Sequence, residues 1–260
     1  MSSRPWTTAI TKVEPNKLLL RGYSIDELMA KASFAEAAYL ALTGEMPTPA
    51  QARLVNAIFV SSIDHGATPP SALGTMTAAS TRASLSAAVA AGLLAITHVH
   101  GGAVEGAIRM FADAASRRGA GGPPAEAAAA ALDDLKSKGM RAPGFGHRIH
   151  TNDPRATELF RLAREARVGG RYLELADAFE KELAARLGKP LPINVDGAIA
   201  AVLCELGVPP EMGNAFFIIS RVPGLIAHAV EEMTRQKPMR VVDPRNHEYD
   251  GPAERRLTDR

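Results

Sequence analysis

Seven histidines lie along the chain, His65, His98, His100, His147, His150, His228 and His247, and three of them abut a glycine. A glycine beside a histidine lets a ligand come close to the main chain, and it equally lets a helix stop. Each pair taken alone reads either way. The set says more. His65 in Asp64-His65-Gly66, His100 in His98-Val-His100-Gly101-Gly102, His147 in Gly144-Phe145-Gly146-His147-Arg148 and Asp196 in Asn194-Val-Asp196-Gly197 mark four separate helix ends that can project into one cleft. Asp196 precedes an apolar run, so it suits a helix N-cap and also a carboxylate that moves protons. Asp153-Pro-Arg155 can be a plain helix start with a solvated arginine. Arg221 sits among Phe216, Phe217, Ile218 and Ile219. Buried there unpaired it costs several kcal/mol, so it should meet an internal carboxylate or a carboxylate ligand in the planar, two-point geometry of a guanidinium. His98 and His100 at i and i+2 point apart on a helix, and no further ligand cluster completes a metal site, so none is expected.

These side chains need elements to position them. Alanine is abundant, aromatics make up 5% of residues, and period-two alternation is weak, which favours helix nearly throughout. Ser24-Ile-Asp-Glu27 reads as a capping box opening a helix through Leu42, stopped by Gly44. Thr48-Pro-Ala-Gln51 reads as another, with Pro49 at the first helical position and Leu54, Val55, Ile58 and Phe59 as one apolar stripe. Further helices are expected over about 83–96, 104–118, 124–137, 154–167, 172–187, 197–206 and 209–234, with Gly139 and Gly188 as stops. The one strand-like run is Lys17–Arg21. Arg117–Pro124 reads as a surface loop. The fold class is all-α, a multi-helix globule.

Composition removes several classes. The 260 residues, 46% of them hydrophobic, suffice for a sizeable core. Thirty Lys+Arg against 28 Asp+Glu leave a net charge of +2. These charges are dispersed, which argues against a nucleic-acid surface or a polybasic membrane patch. The run near Ala87–Ile96 is too short to span a bilayer. Met1–Trp6 lacks an apolar leader, and the single Cys204 cannot form an internal disulfide, so a cytoplasmic setting is expected. No Walker A, dinucleotide or nucleophile-elbow motif is present.

In this order the motifs resemble the citrate synthase superfamily. Arg21-Gly-Tyr-Ser-Ile, Gly44-Glu-Met-Pro, Asp64-His65-Gly66, Ser80-Thr-Arg-Ala-Ser84, His100-Gly-Gly-Ala, Gly144-Phe-Gly-His-Arg148 with Asp153-Pro-Arg155, Asn194-Val-Asp196 and Ser220-Arg221-x-x-Gly224 all match family segments. Within the superfamily the chain most resembles the citryl-CoA lyases. It is shorter than a typical synthase. Gly197 follows Asp196 where synthases commonly carry an aromatic. Asp243-Pro-Arg245 stands where synthases carry an arginine that completes the neighbouring subunit's site, and Arg245 or Arg240 could replace it.

The resemblance implies a citrate-synthase-like fold with a shortened large domain, residues 1–100 and 205–260, and a small domain, residues 101–204. It implies cleavage of citryl-CoA to acetyl-CoA and oxaloacetate, with a short citrate or 2-methylcitrate synthase as the alternative and a non-catalytic acyl-CoA-binding protein as a further one. The implied roles are His147 at the hydroxyl, His100 at the thioester oxygen and Asp196 at the methyl proton. His65, Arg155, Arg221 and Arg245 would hold carboxylates, and Gly144, Phe145 and Gly146 would lie near coenzyme A. No permanent cofactor or metal is implied. The partners are small molecules and further copies of the chain, as a homodimer or a multiple of dimers, with no nucleic acid and no membrane.

Overall fold

The chain opens on a small antiparallel sheet. Strands β1 (Thr11–Glu14), β2 (Lys17–Leu20) and β3 (Tyr23–Ser24) pair in sequence order, with Thr11 opposite Leu20 and Leu20 opposite Tyr23. β2 is the expected strand; its partners carry no alternation long enough to be read. Arg21, at φ 49°, turns its guanidinium back so that Nε and one terminal nitrogen donate to Ala41 O at 3.2 and 3.0 Å. The sheet is thereby tied to the helices.

The computed structural model describes residues 6–119, 121–146, 152–240 and 250–251. Eleven helices follow the sheet among these residues. They are α1 (Ile25–Lys31), α2 (Phe34–Thr43), α3 (Pro49–Ser61), α4 (Pro70–Ser80), α5 (Leu85–Leu94), α6 (Ala103–Arg118), α7 (Pro124–Ser137), α8 (Pro154–Ala166), α9 (Arg171–Leu187), α10 (Val195–Glu205) and α11 (Pro210–Arg235). The expected single helix from Ser24 to Leu42 is two. Ser24 does not cap with its side chain; its hydroxyl donates to Asp26. The working box is Ser33 with Glu36, which starts α2 after the break at Ala32–Ser33. Thr48 and Gln51 do form the expected box, and Gly44 and Gly188 close α2 and α9 in the left-handed conformation. Helix α4 is an addition, made of small and polar residues whose local preference is weak.

α10 is the most enclosed helix. Ala198, Ile199, Ala200, Ala201, Val202 and Leu203 are all fully buried, and the helix packs on α3, α6, α8 and α9. Its alanines let neighbours approach closely, while Ile199, Val202 and Leu203 each contribute roughly 1.5–3 kcal/mol by leaving water. Phe111 and Phe179 meet edge to face nearby, and Phe145 packs tilted against both. One apolar core runs from Ala35 to Phe217 and takes in residues of both 1–100 and 101–204.

Helix α11 is long and apolar enough to cross a membrane by length and composition. It instead packs against α3, α4, α5 and α6, and it buries Arg221 and Glu232. Of its four consecutive apolar residues, Phe216 and Phe217 are buried, Ile219 is half-buried and Ile218 is exposed on the single chain.

Candidate active site

The site begins at the first turn of α10. Asn194, not Asp196, is its N-cap: Asn194 Oδ1 accepts from Gly197 N at 3.1 Å. Asn194 also grips the Gly144–Gly146 loop, through its amide nitrogen to Gly146 O at 2.8 Å and its backbone N–H to Gly144 O at 3.0 Å. The N-cap reading of Asp196 is therefore overturned, because the chain enters the helix two residues earlier. Asp196 stands inside the first turn with no hydrogen bond to its carboxylate among the described residues. Burial pushes its carboxyl up, and Asp153 adds to this, while Arg155 and Arg221 pull it down; the balance is about 6. A helix N-terminus favours the anion, but here desolvation wins. The result is a carboxyl that exchanges protons near neutral pH.

Arg155 is held by Asp153, and the solvated-arginine reading is overturned as well. Asp153, 1% exposed, caps α8 by accepting from Arg155 N at 3.0 Å. It also accepts from Arg155 Nε at 2.9 Å and a terminal nitrogen at 2.8 Å. Its Oδ2 accepts from Val195 N at 3.2 Å. One carboxylate thus ties the cation of α8 to the residue before Asp196.

Arg221 is 3% exposed and has no ion pair among the described residues. Its Nε donates to Ser62 O at 2.9 Å, and its guanidinium lies 4.9 Å from the centre of the Phe217 ring. Burial pushes its pKa down, opposed by Asp64 and Asp196. Of the two partners that the sequence allowed, no internal carboxylate among the described residues takes its terminal nitrogens.

His100 does not close a helix. It sits on a tight turn between α5 and α6, with Thr97 and His100 exchanging both backbone hydrogen bonds at 2.9 Å. The turn lies on Phe217, and a Cβ at Gly101 would fall 2.3 Å from that ring. The turn that carries His100 and the guanidinium of Arg221 therefore share one aromatic. His100 Nε2 contacts Ser71 N at 3.3 Å and Ser71 Oγ at 2.9 Å. A backbone N–H only donates, so Nε2 is the acceptor and Nδ1 carries the hydrogen of the neutral ring. His65 is half-buried in the α3–α4 turn rather than at a helix end. The ring of Phe145 is committed to Phe111 and Phe179, so the 144–146 loop offers a ligand main chain.

His147 and Arg245 lie outside the described residues. Arg240 is paired with Glu232, which is 3% exposed, so its charge is matched within its own chain. Sequence reading missed Asp153 as an anchor, together with Ser71 and Phe217. Each acts across 29 or more positions, beyond any local motif.

A family model described as citrate synthase, C-terminal domain, matches residues 4–57 and 46–242. The solved structure of citryl-CoA lyase from Hydrogenobacter thermophilus matches with TM-score 0.89 and 39% identity, over 98% of each chain. The ATP citrate lyase of Methanosaeta concilii, solved with (3S)-citryl-CoA, shares the fold at TM-score 0.85 and 22% identity, over 98% of this chain and 43% of that one. The citrate synthase of Saccharolobus solfataricus is 31% identical over 224 residues, 82% of this chain and 56% of that enzyme. The chain spans as little as 30% of other curated relatives.

Proposed function

The chain belongs to the citrate synthase family, and from that premise we propose that it is a citryl-CoA lyase, cleaving citryl-CoA to acetyl-CoA and oxaloacetate. The observation that carries this reading is the 39% identity to a citryl-CoA lyase over 98% of both chains. The site chemistry supports it. His147 takes the proton of the tertiary hydroxyl as that carbon becomes the ketone of oxaloacetate. The electrons of the breaking C–C bond pass into the thioester, and His100 donates Nδ1–H to the oxygen where negative charge develops. Asp196, still partly protonated near pH 6, delivers its proton to the methylene, which leaves as the methyl of acetyl-CoA. Arg155, Arg221, His65 and Arg245 hold carboxylates of the four-carbon acid, and the Gly144–Gly146 main chain receives coenzyme A.

The same reading includes assembly, place and domain division. Leu73, Ile218, Ile226 and Val230 leave apolar surface exposed on α4 and α11, which a second copy would cover; the mass in solution tests this. A cytoplasmic setting suits Cys204, whose thiol burial pushes up to about 12 and so keeps unreactive. Residues 1–100 with 205–260 and residues 101–204 are taken as the large and small domains, which limited proteolysis tests.

The likeness to a citrate synthase over 82% of the chain favours one alternative, a short citrate or 2-methylcitrate synthase. Feeding citryl-CoA separates the two. Acetyl-CoA plus oxaloacetate as products support the lyase; free CoA plus citrate overturn it.

A further inference from the structure

Three residues on one stripe of α11 face the turn that carries His65. Arg221 Nε donates to Ser62 O at 2.9 Å. At Gly224, one turn on, a Cβ would fall 2.2 Å from Ile63 O and 3.1 Å from Asp64 Oδ1. One turn further, His228 Nε2 meets Asp64 Oδ1 at 2.9 Å. The spacing of three and then four residues puts all three on one face. The Asp64 carboxylate therefore lies over Gly224, between a buried guanidinium on one side and an imidazole on the other. Its second oxygen accepts from Gly66 N at 2.9 Å. Glu231, the other carboxylate beside this cleft, is engaged by Arg235.

The charge of Asp64 reaches the Arg221 guanidinium, whose terminal nitrogens have no carboxylate partner among the described residues, so the guanidinium is an obvious competing partner for Asp64. Two parallel N–H bonds from the Arg221 fork would hold a carboxylate more strongly than the single bond that Asp64 Oδ1 makes with His228 Nε2. Once formed, such a pair would take the fork that a substrate carboxylate needs.

We propose that His228 is a positioning residue that holds Asp64 away from Arg221 and so keeps the guanidinium open for a substrate carboxylate. This rests on the reading of Arg221 as a carboxylate-binding residue. His228 touches no reacting atom; it acts through Asp64.

The test uses four forms of the full chain: wild type, His228→Ala, His228→Gln, and His228→Ala with Asp64→Asn. The measurements are KM and kcat with citryl-CoA, oxaloacetate binding by calorimetry, and thermal melting. In His228→Ala, KM and the oxaloacetate dissociation constant should rise about tenfold, the scale of one charge-assisted contact, with kcat little changed. His228→Gln, which keeps an N–H donor, should lose less. Adding Asp64→Asn removes the competitor and should restore binding to within about threefold of wild type. Unchanged binding in His228→Ala overturns the proposal. So does a double variant as weak as the single one, since His228 would then matter only for the shape of the turn. If wild type neither cleaves citryl-CoA nor binds oxaloacetate, the functional reading fails instead. A crystal structure of His228→Ala then decides this proposal alone: Asp64 within 4 Å of the Arg221 terminal nitrogens supports it, and Asp64 left over Gly224 overturns it.

Discussion

Gly144 and Gly197 touch backbone to backbone: a Cβ on Gly197 would lie 2.3 Å from Gly144 O, and one on Gly144 would lie 2.5 Å from Gly197 Cα. The loop that leads to His147 is thereby seated on the turn that holds Asp196. Neither residue can gain a side chain unless the two segments part. Gly197→Ala should destabilise the chain by about 1–3 kcal/mol, the usual cost of overpacking. Gly197→Phe, the kind of residue synthases commonly carry there, should abolish turnover even in whatever fraction folds. Denaturant titration alongside turnover per folded molecule checks both.

Asp196→Asn should be dead and yet more stable at neutral pH. The folded carboxyl titrates near 6, above its ordinary 3.8, so between these values the folded state binds more protons than the unfolded state. Stability then falls as pH rises through that window, and the full penalty is present above it. Removing the ionisable group should return about 1–3 kcal/mol at pH 7–8 and little at pH 4. Melting curves across pH 4–8 decide it, and a variant less stable than wild type at pH 8 would contradict the account.

Exchange of the acetyl-CoA methyl protons into D2O isolates the Asp196 step from C–C chemistry. It needs the carboxylate as base, so its rate should climb with pH through about 6 and then level. Asp196→Asn should show no such limb. A flat profile between pH 5 and 8 would remove Asp196 from this role.

Arg221→Lys keeps the charge but loses the Nε bond to Ser62 O, the stacking on Phe217 and the two-point fork. Oxaloacetate binding should weaken roughly 10- to 100-fold. A lowered melting temperature with unchanged kinetics would make the arginine structural.

Much of the fold was legible locally. The Thr48–Gln51 box, the Leu54–Phe59 stripe and the Gly44 and Gly188 stops are written in adjacent residues, and the structure keeps them. The Ser24 box was misread because two serine–glutamate pairs, Ser24 with Glu27 and Ser33 with Glu36, fit the same pattern, and only packing selects the second. Helix α4 escaped notice because Ser, Thr and Gly lower its intrinsic preference; it forms against α5 and α11. At the site, residue types were readable and partners were not. Nothing near Asp153 in sequence announces Val195, 42 positions on, and nothing near His100 announces Ser71.

The raised carboxyl pKa of Asp196 also bears on laboratory evolution of this chain. A single base change converts an aspartate codon to an asparagine codon, and the product should survive heating better than its parent. A library screened for heat resistance alone would therefore enrich inactive clones at this one position. Survivors need sorting by turnover before any gain in stability is credited to the rest of the molecule.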